Sequence, residues 1–435
     1  MKPRAAATGL DDIGQLRAAL LDARAWTFAI YAHLTPAQWQ VPYLAIVNPP
    51  LWEIGHVGWF QEYWCLRQRQ DAAPLPSRFL TNTDPLFDSR HVPHAERWHL
   101  PLPGRGDLLR YLDAVLQDTL AALDRSTPEE RYFFKLALFH EDMHTEAMLM
   151  TLQTLGYPAP AMPSSSLPAV AAEPAVGEVF LPGGTFRLGA RPEQDFVFDN
   201  EKWAHPVTLP AFSVSSITVT NRSFADFVDA GGYHLREFWS EPGWQWRETQ
   251  QAEFPRYWRK DGGSWLMRRF DQWQALPGEE PAMHVNCHEA EAWCRWAGRR
   301  LPSETEWEYA ARAGRPEGGD RYPWGNAQSA PGRACLDNVF SGPVPARALA
   351  QADSPTGLRQ MIGNVWEWTS SPFAPYPGFS PDPYKEYSEP WFHGHQILRG
   401  GSFFTRSRLV HNRFRNFYAP ERSDMFVGFR SCATG

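Results

Sequence analysis

The sequence predicts an α+β protein, with a helical N-terminal domain and an irregular, β-rich C-terminal domain. The chain has 435 residues, more than one ordinary hydrophobic core accommodates. Residues 10–156 repeat apolar positions at three- and four-residue spacing, the pattern of amphipathic helices. After residue 178, short β-prone runs alternate with Gly, Pro and Asn turns, and most of the 20 tryptophans lie in this half. Each indole N–H needs a partner, which favours a loop-rich fold over a regular sandwich.

The N-terminal domain, residues 1–156, is predicted to be a four-helix bundle. The helical pattern is clearest over residues 12–34, 106–124 and 133–157, and a fourth apolar segment spans 48–64. Proline and glycine are concentrated at the breaks between these segments, as expected for the ends of helices.

Residues 157–177 are rich in Pro, Ala and Ser and predict an extended linker. The second domain is expected to cover residues 178–435. Three helices are predicted in it: 220–233 with Asn221 or Thr220 as N-cap, 288–300, and 303–314, where Ser303 and Glu306 form a capping box.

Composition argues against several classes of function. The net charge is −7 and the sequence contains no long Lys/Arg block, so we expect no nucleic-acid partner. No apolar run approaches the ~18 residues of a membrane span, and the first twenty residues include acidic side chains where a signal peptide needs an apolar core. Five cysteines without zinc-ribbon spacing fit a reducing compartment, which predicts a cytoplasmic protein.

Two histidines four residues apart are the most informative feature for function. His140 and His144 lie on a strongly helical segment, where residues four apart share one face at roughly 6 Å between Cβ atoms. That spacing suits two ligands of one divalent metal. A third histidine, His56, lies in another aromatic-rich helical segment. A three-histidine site between bundle helices is therefore expected.

Two other interpretations of these histidines stay open. His140-Glu141-x-x-His144 matches the zinc-protease helix, in which the glutamate activates a metal-bound water. However, Ala147 stands where a metzincin has glycine, and a Pro-rich linker follows the helix. The second interpretation is that His140 and His144 are ordinary helix residues in a partly buried groove. His91, His94 and His99 form a further cluster in a Pro-containing loop, which is interpreted as solvated, with the approach of one of them to the site as the alternative.

The C-terminal half resembles the formylglycine-generating-enzyme domain, a C-type-lectin-like fold. The resemblance rests on an ordered series of motifs that includes PGGTFRLG, RLPSETEWEYAAR, YPWGN, GNVWEWTSS, LRGGSF and VGFRSC. The oxidising cysteine pair of those enzymes is absent, because the matching stretch over residues 405–417 contains no Cys. Sulfatase activation is therefore not expected.

The bundle resembles the DinB superfamily. Joined to the lectin-like domain, it resembles the hercynine-dependent sulfoxide synthases of ergothioneine biosynthesis and their relatives, the selenoneine synthases. The resemblance implies that His56, His140 and His144 bind Fe(II), with open positions for a thiolate or selenolate, O₂ and water. It also implies small-molecule substrates: hercynine, O₂, and a selenosugar or thiol donor.

Substrate residues are implied at FRNFYAPERSDMF. Asn416 matches the Asn of the family and should hydrogen-bond the histidine-derived substrate, and Phe417 replaces a Trp that offers an aromatic face. Arg422 matches the Arg that receives a carboxylate of γ-glutamylcysteine or cysteine. Tyr418 replaces an Asp, which removes an anionic partner for an α-ammonium group. Met143 stands where the sulfoxide synthases place Gln.

These departures predict a selenosugar donor, and hence selenoneine synthesis by Fe(II)- and O₂-dependent C–Se bond formation at the imidazole C2 of hercynine. Ergothioneine-type sulfoxide formation with a thiol donor is the alternative, and a non-enzymatic lectin-like binding protein is another. Among the candidate proton donors Tyr376, Tyr384 and Tyr387, we favour Tyr376. Arg90 is a candidate second donor clamp, with Arg97 as the alternative.

Overall fold

The computed structural model describes residues 9–68, 73–161, 174–175, 177–192, 196–315, 320–327 and 332–434. The chain divides into two compact units, Met1–Met162 and Pro163–Gly435. Residues 162–173 and 176 of the predicted linker lie outside the described residues, so its limits stay a prediction.

Helices pack side by side in the first unit. Its α-helices, within the part that the structure describes, are α1 (Ile13–Tyr31), α2 (Pro50–Glu62), α3 (Thr83–Phe87), α4 (Arg105–Leu123) and α5 (Arg131–Leu155). Helix α1 packs on α4 and α5, and α2 packs on the same two helices, which confirms the four-helix bundle. The short α3 packs on α2. No helix in the described ranges combines the length and apolar character needed to cross a membrane.

The second unit mixes short helices with small sheets. Its helices over the described residues are α6 (Asn221–Asp229), α7 (Glu241–Gln250), α8 (Cys287–Trp296) and α9 (Glu304–Ala311). Its strands there are β1 (Glu178–Leu181), β2 (Gly184–Leu188), β3 (His205–Leu209), β4 (Phe212–Ser215), β5 (Trp258–Asp261), β6 (Ser264–Arg269), β7 (Gln272–Ala275), β8 (Arg299–Arg300), β9 (Trp366–Pro372), β10 (Gln396–Arg399), β11 (Asn416–Tyr418), β12 (Val427–Gly428) and β13 (Cys432–Ala433).

Strand order places the predicted substrate residues at a sheet edge. One four-stranded sheet has the order β11-β10-β9-β12 and the other has the order β1-β4-β13-β8. Strand β11, which contains Asn416, Phe417 and Tyr418, pairs antiparallel with β10. Smaller sheets join β2 to β3 and β5 to β6 and β7. The mixture of bundle and irregular sheets confirms the α+β class.

The predicted helices of this unit are present, and their caps have clear physical causes. Thr220, rather than Asn221, is the N-cap of α6, and its hydroxyl accepts a hydrogen bond from Ser223 N–H. Ser303 and Glu306 form the predicted capping box of α9. Helix α7 and the β5–β7 sheet were not predicted.

A buried arginine links all four long helices of the bundle. Arg24, on α1, donates from Nε to Oε1 of Glu141 on α5 at 2.8 Å and from Nη2 to Oε1 of Gln61 on α2 at 2.8 Å. Its Nη1 donates to the carbonyl of Leu112 on α4. Thr27 adds a hydrogen bond of 2.6 Å to the same Glu141 oxygen. Both charged side chains are only 2% exposed, so each depends on the other for compensation of its charge.

We expect Arg24→Met to lower the free energy of unfolding of the bundle by about 3–5 kcal/mol, because the Glu141 carboxylate would remain buried without its cation. Urea unfolding followed by far-UV circular dichroism measures this loss. Arg17→Met is the matched control on α1, because Arg17 pairs with Asp124 at 2.5 Å while their side chains are 34% and 53% exposed. That exposed pair should contribute only about 0–1 kcal/mol. Equal losses in the two variants would contradict the central role of Arg24.

Candidate metal centre

Three histidines meet between α2 and α5. His56 comes from α2, and His140 and His144 come from α5. One ring nitrogen from each lies within 4.8 Å of the others. The ring centroids are 5.0 Å apart for His56 and His140, 4.9 Å for His56 and His144, and 4.4 Å for His140 and His144. The structure therefore brings together the three residues that the sequence selected as metal ligands.

Aromatic side chains enclose two of these imidazoles. Trp52 stacks on His56 with ring centroids 4.8 Å apart, and Phe60 stacks on His140 at 3.5 Å. Burial is the main reason that the pKa values of His56 and His140 lie well below the ordinary value, and the neighbouring His144 acts in the same direction. Both imidazoles are therefore neutral near pH 7, and the neutral form is the one that binds a metal.

Hydrogen bonds behind the cluster fix two of the rings. His56 Nδ1 donates to the carbonyl oxygen of Phe87 at 2.7 Å, and His144 Nδ1 donates to Oε1 of Glu53 at 2.8 Å. A carbonyl only accepts, so His56 Nδ1 must carry the proton and Nε2 keeps its lone pair. Gly55 makes the first bond possible, because a Cβ there would lie 2.2 Å from the Phe87 ring.

The chemistry of the cluster fits a divalent transition metal. Three convergent imidazoles form a nitrogen donor set that suits Zn, Cu, Fe or Ni. Metal-binding histidines characteristically donate their second nitrogen to a carboxylate or a backbone carbonyl, as His144 and His56 do here. His56, His140 and His144 would hold the ion and leave coordination positions for other ligands.

Glu141 does not face this centre as the zinc-protease interpretation requires. Its carboxylate binds the Arg24 guanidinium and the Thr27 hydroxyl on α1. A general base must lie within hydrogen-bond reach of the water that it activates. The position of Glu141 therefore argues against a hydrolase of this class.

The histidines of the Pro-containing loop do not join the cluster. His91 and His99 are exposed, which agrees with the predicted solvated loop. His94 instead binds the carbonyl of Val47 through Nε2 at 2.7 Å. Among the described residues, the triad is the one group of His, Cys, Asp or Glu side chains arranged to hold a metal.

The two candidate arginine clamps have different surroundings. Arg90 forms a two-point ion pair with Asp88, at 2.8 Å from Nε to Oδ1 and 2.6 Å from Nη2 to Oδ2, and these bonds raise its pKa. The guanidinium carbon of Arg97 lies 3.7 Å from the centroid of the Trp52 ring, and the same ring stacks on His56. Burial lowers the pKa of Arg97 to about 10. Arg97 is thus next to the wall of the centre, while Arg90 is held by Asp88.

Met143 lies on α5 directly before His144 and is half-buried.

In the second unit, Asn416 and Phe417 are half-buried on β11. The backbone N–H of Phe417 donates to Asn416 Oδ1 at 2.9 Å, which leaves the amide NH₂ of Asn416 to donate. One face of Phe417 stacks on Phe373 at 4.0 Å, and the Tyr387 ring approaches it edge-on at 5.8 Å.

Arg422 is already paired with a carboxylate. Its Nε and Nη2 atoms donate to the two oxygens of the buried Asp424 at 2.6 and 2.7 Å. The Arg422 guanidinium also lies 5.3 Å from the centroid of the Tyr418 ring. Tyr418, Arg422 and Asp424 therefore form one cluster, in which the arginine charge is largely neutralised within the protein.

Two of the three candidate tyrosines, Tyr376 and Tyr387, differ in what they contact. Tyr376 is buried, its hydroxyl donates to Glu304 Oε1 at 3.2 Å, and Arg415 lies 4.0 Å from the centre of its ring. Burial raises the pKa of Tyr376, and of Tyr387, well above the ordinary value. Tyr387 contacts Phe417, whereas Tyr376 belongs to a network of buried charges. The choice of Tyr376 stays a prediction.

Sequence reasoning missed Glu53. A carboxylate three residues before His56 on a helix shares the face that the histidine presents, and this spacing was the available signal.

Comparison with known proteins identifies the family. The DinB superfamily model matches residues 19–148, and the sulfatase-modifying factor enzyme 1-like domain model matches residues 164–434. The formylglycine-generating enzyme of Streptomyces coelicolor is 32% identical over 309 residues, covering 63% of this chain and 95% of that protein.

Other relatives match almost the whole chain, including both domains. The hercynine oxygenase of Mycolicibacterium smegmatis is 37% identical over 400 residues, covering 89% of this chain and 91% of that protein. The hercynine oxygenase of Mycobacterium tuberculosis is 37% identical over 425 residues, covering 96% of this chain and 98% of that protein. This agreement along almost the whole length confirms the resemblance seen in the motifs, and the chain belongs to the hercynine oxygenase family.

Proposed function

We propose that this protein is an Fe(II)- and O₂-dependent oxidoreductase that attaches selenium or sulfur to the imidazole C2 of hercynine. The observation that carries the proposal is the cluster of His56, His140 and His144 in a member of this family. Bound ferrous iron would supply the oxygen activation and electron transfer that the reaction needs. The cysteines of the second unit are buried free thiols, which is compatible with a cytoplasmic location, and this location is part of the proposal.

The bundle contributes a rigid, water-poor frame for the metal. Trp52 and Phe60 cover His56 and His140, and hydrogen bonds from His56 and His144 orient the rings before any ion binds. A preorganised donor set keeps the geometry constant during turnover. Three protein ligands also leave coordination positions for O₂ and the donor atom.

Asn416 and Phe417 are proposed to bind hercynine. The amide NH₂ of Asn416 offers a hydrogen-bond donor at the edge of its sheet. Aromatic rings around Phe417, including Phe373 and Tyr387, provide the kind of surface on which a trimethylammonium group binds.

A selenosugar is the proposed donor. An amino-acid thiol presents an α-ammonium and a carboxylate, and both groups need charged partners where water is excluded. Tyr418 offers no negative charge, and Arg422 already shares its guanidinium with Asp424. A neutral, hydroxyl-bearing sugar requires neither partner. The guanidinium of Arg422 is also what would support the alternative, a γ-glutamylcysteine or cysteine donor.

The first prediction concerns the metal. His56→Ala, His140→Ala and His144→Ala should each abolish turnover and lower the iron content from one ion per chain, because each removes one of three ligands. Iron analysis after anaerobic reconstitution measures the loss. His91→Ala is the control, because its side chain is 75% exposed in the adjoining loop. Full activity in any one of the three variants would disprove the assignment of the triad.

The second prediction concerns hercynine. Asn416→Ala should raise KM for hercynine roughly 5- to 150-fold, which corresponds to the ~1–3 kcal/mol of a polar partner left unpaired. Steady-state kinetics with hercynine varied at saturating donor measures the change. KM for the donor should stay close to that of the parent. An unchanged KM for hercynine would place this substrate at other residues.

The third prediction concerns the donor. Tyr418→Asp should raise kcat/KM for γ-glutamylcysteine relative to a selenosugar by about 10- to 150-fold, because a carboxylate pairs with the α-ammonium for ~1.5–3 kcal/mol. Tyr418→Phe is the control, since it removes the hydroxyl without adding charge. Mass spectrometry of competing-donor reactions gives the ratio. A parent that already prefers γ-glutamylcysteine would favour ergothioneine-type chemistry over selenoneine synthesis.

A further inference from the structure

A fully buried carboxylate lies directly behind one of the candidate ligands. Glu53 is 0% exposed and belongs to the first turn of α2, one turn before His56. Its Oε1 accepts the hydrogen bond from Nδ1 of His144 on α5 at 2.8 Å. Glu53 is not one of the three residues whose ligand atoms converge, so its contact with the candidate metal centre is made through His144.

Burial of this carboxylate needs compensation. The positive end of the α2 helix dipole provides part of it, because Glu53 is the acidic residue of the first turn. Arg97 provides a nearby positive charge, but its Nη1 is directed to Asn48 Oδ1 at 2.6 Å. Among the described residues, His144 is the one whose side chain donates a hydrogen bond to the Glu53 carboxylate. The Glu53 charge is thus coupled most directly to a ligand imidazole.

We infer that Glu53 is a positioning residue that holds His144 in the Nδ1–H tautomer, aims Nε2 at the metal, and raises the affinity of the centre by placing one negative charge behind it. Three neutral imidazoles leave the full positive charge of a divalent cation in a buried, aromatic site, where charge is poorly solvated. A carboxylate bound to one ligand offsets part of that charge and makes the imidazole a stronger donor. The inference rests on the proposed metal-binding role of the triad.

A purely structural role for Glu53 would be to join α2 to α5, and the chain contains a matched control for that role. Glu62 lies on the same helix, is 1% exposed, and accepts a hydrogen bond of 2.7 Å from the Tyr111 hydroxyl on α4. Glu62 therefore also links two helices through a buried carboxylate, but its hydrogen bond comes from a tyrosine and not from a histidine. Substitution of either residue by Gln removes one buried charge and keeps an oxygen that accepts.

The test is a Co²⁺ titration of the full-length apoprotein, followed by visible absorption in competition with a chelator, and it needs no turnover. Glu53→Gln should weaken Co²⁺ binding by about 10- to 100-fold, the usual effect of losing such a partner. Glu62→Gln should change the affinity by less than about threefold, within the scatter of remote substitutions. Thermal unfolding of the apoproteins records how far each substitution destabilises the bundle. Glu53→Asp, which keeps the charge on a shorter side chain, should recover part of the affinity and serves if Glu53→Gln does not fold.

Two outcomes would overturn the inference. Equal Co²⁺ affinity in the parent and Glu53→Gln would show that Glu53 does not tune the centre, while the three-histidine site itself would stand. Equal weakening in Glu53→Gln and Glu62→Gln would assign both carboxylates to the stability of the bundle. Absence of Co²⁺ binding in the parent would instead contradict the metal centre, and with it the proposed function.

Discussion

The ion pair between Arg24 and Glu141 is the interaction on which the geometry of the bundle depends. One guanidinium reaches Glu141 on α5, Gln61 on α2 and the carbonyl of Leu112 on α4, so all four long helices meet at one buried charge. Glu141 also follows His140 directly in the chain. Because its carboxylate is fixed towards α1, the rotation of α5 about its axis is set, and His140 and His144 face α2. An electrostatic constraint on one face of the helix thereby orients the ligands on the next.

Much of this arrangement could be predicted from local patterns. The four-residue spacing of His140 and His144 places them on one helical face whatever the surrounding fold. Capping depends on a few neighbouring residues, so Ser303 and Glu306 were recognisable in advance. Helix α7 was missed because its apolar residues form no stripe and only Gly243 is buried. The β5–β7 sheet was missed because its strands are largely exposed or half-buried and lack clear alternation of burial.

Residues whose roles depend on their hydrogen-bond partners in the folded chain were harder to predict. Family motifs selected Arg422 as a carboxylate receptor, yet Asp424, two residues later, binds the same guanidinium. The motif records which residue is present but does not record whether a neighbour occupies its hydrogen-bonding atoms. Tyr376 shows the same difficulty, because its contact with Glu304 joins segments 72 residues apart in the sequence. The spacing of Glu53 to His56 was visible in the sequence, but its hydrogen-bond partner, His144, became evident only when α5 placed that histidine against it.

Substitution of Gly55, at the contact between α2 and α3, is expected to have an unusual effect. Its missing side chain admits the Phe87 ring, and the carbonyl of Phe87 orients His56. A methyl group at position 55 would displace that ring and, with it, the acceptor that sets the histidine plane. In a genetic screen for loss of metal binding, substitutions of Gly55 would therefore have the same effect as substitutions of the candidate ligands, although glycine has no side chain that could coordinate a metal. At position 55 the function thus depends on the absence of a side chain, whereas at the ligand positions it depends on a chemical group.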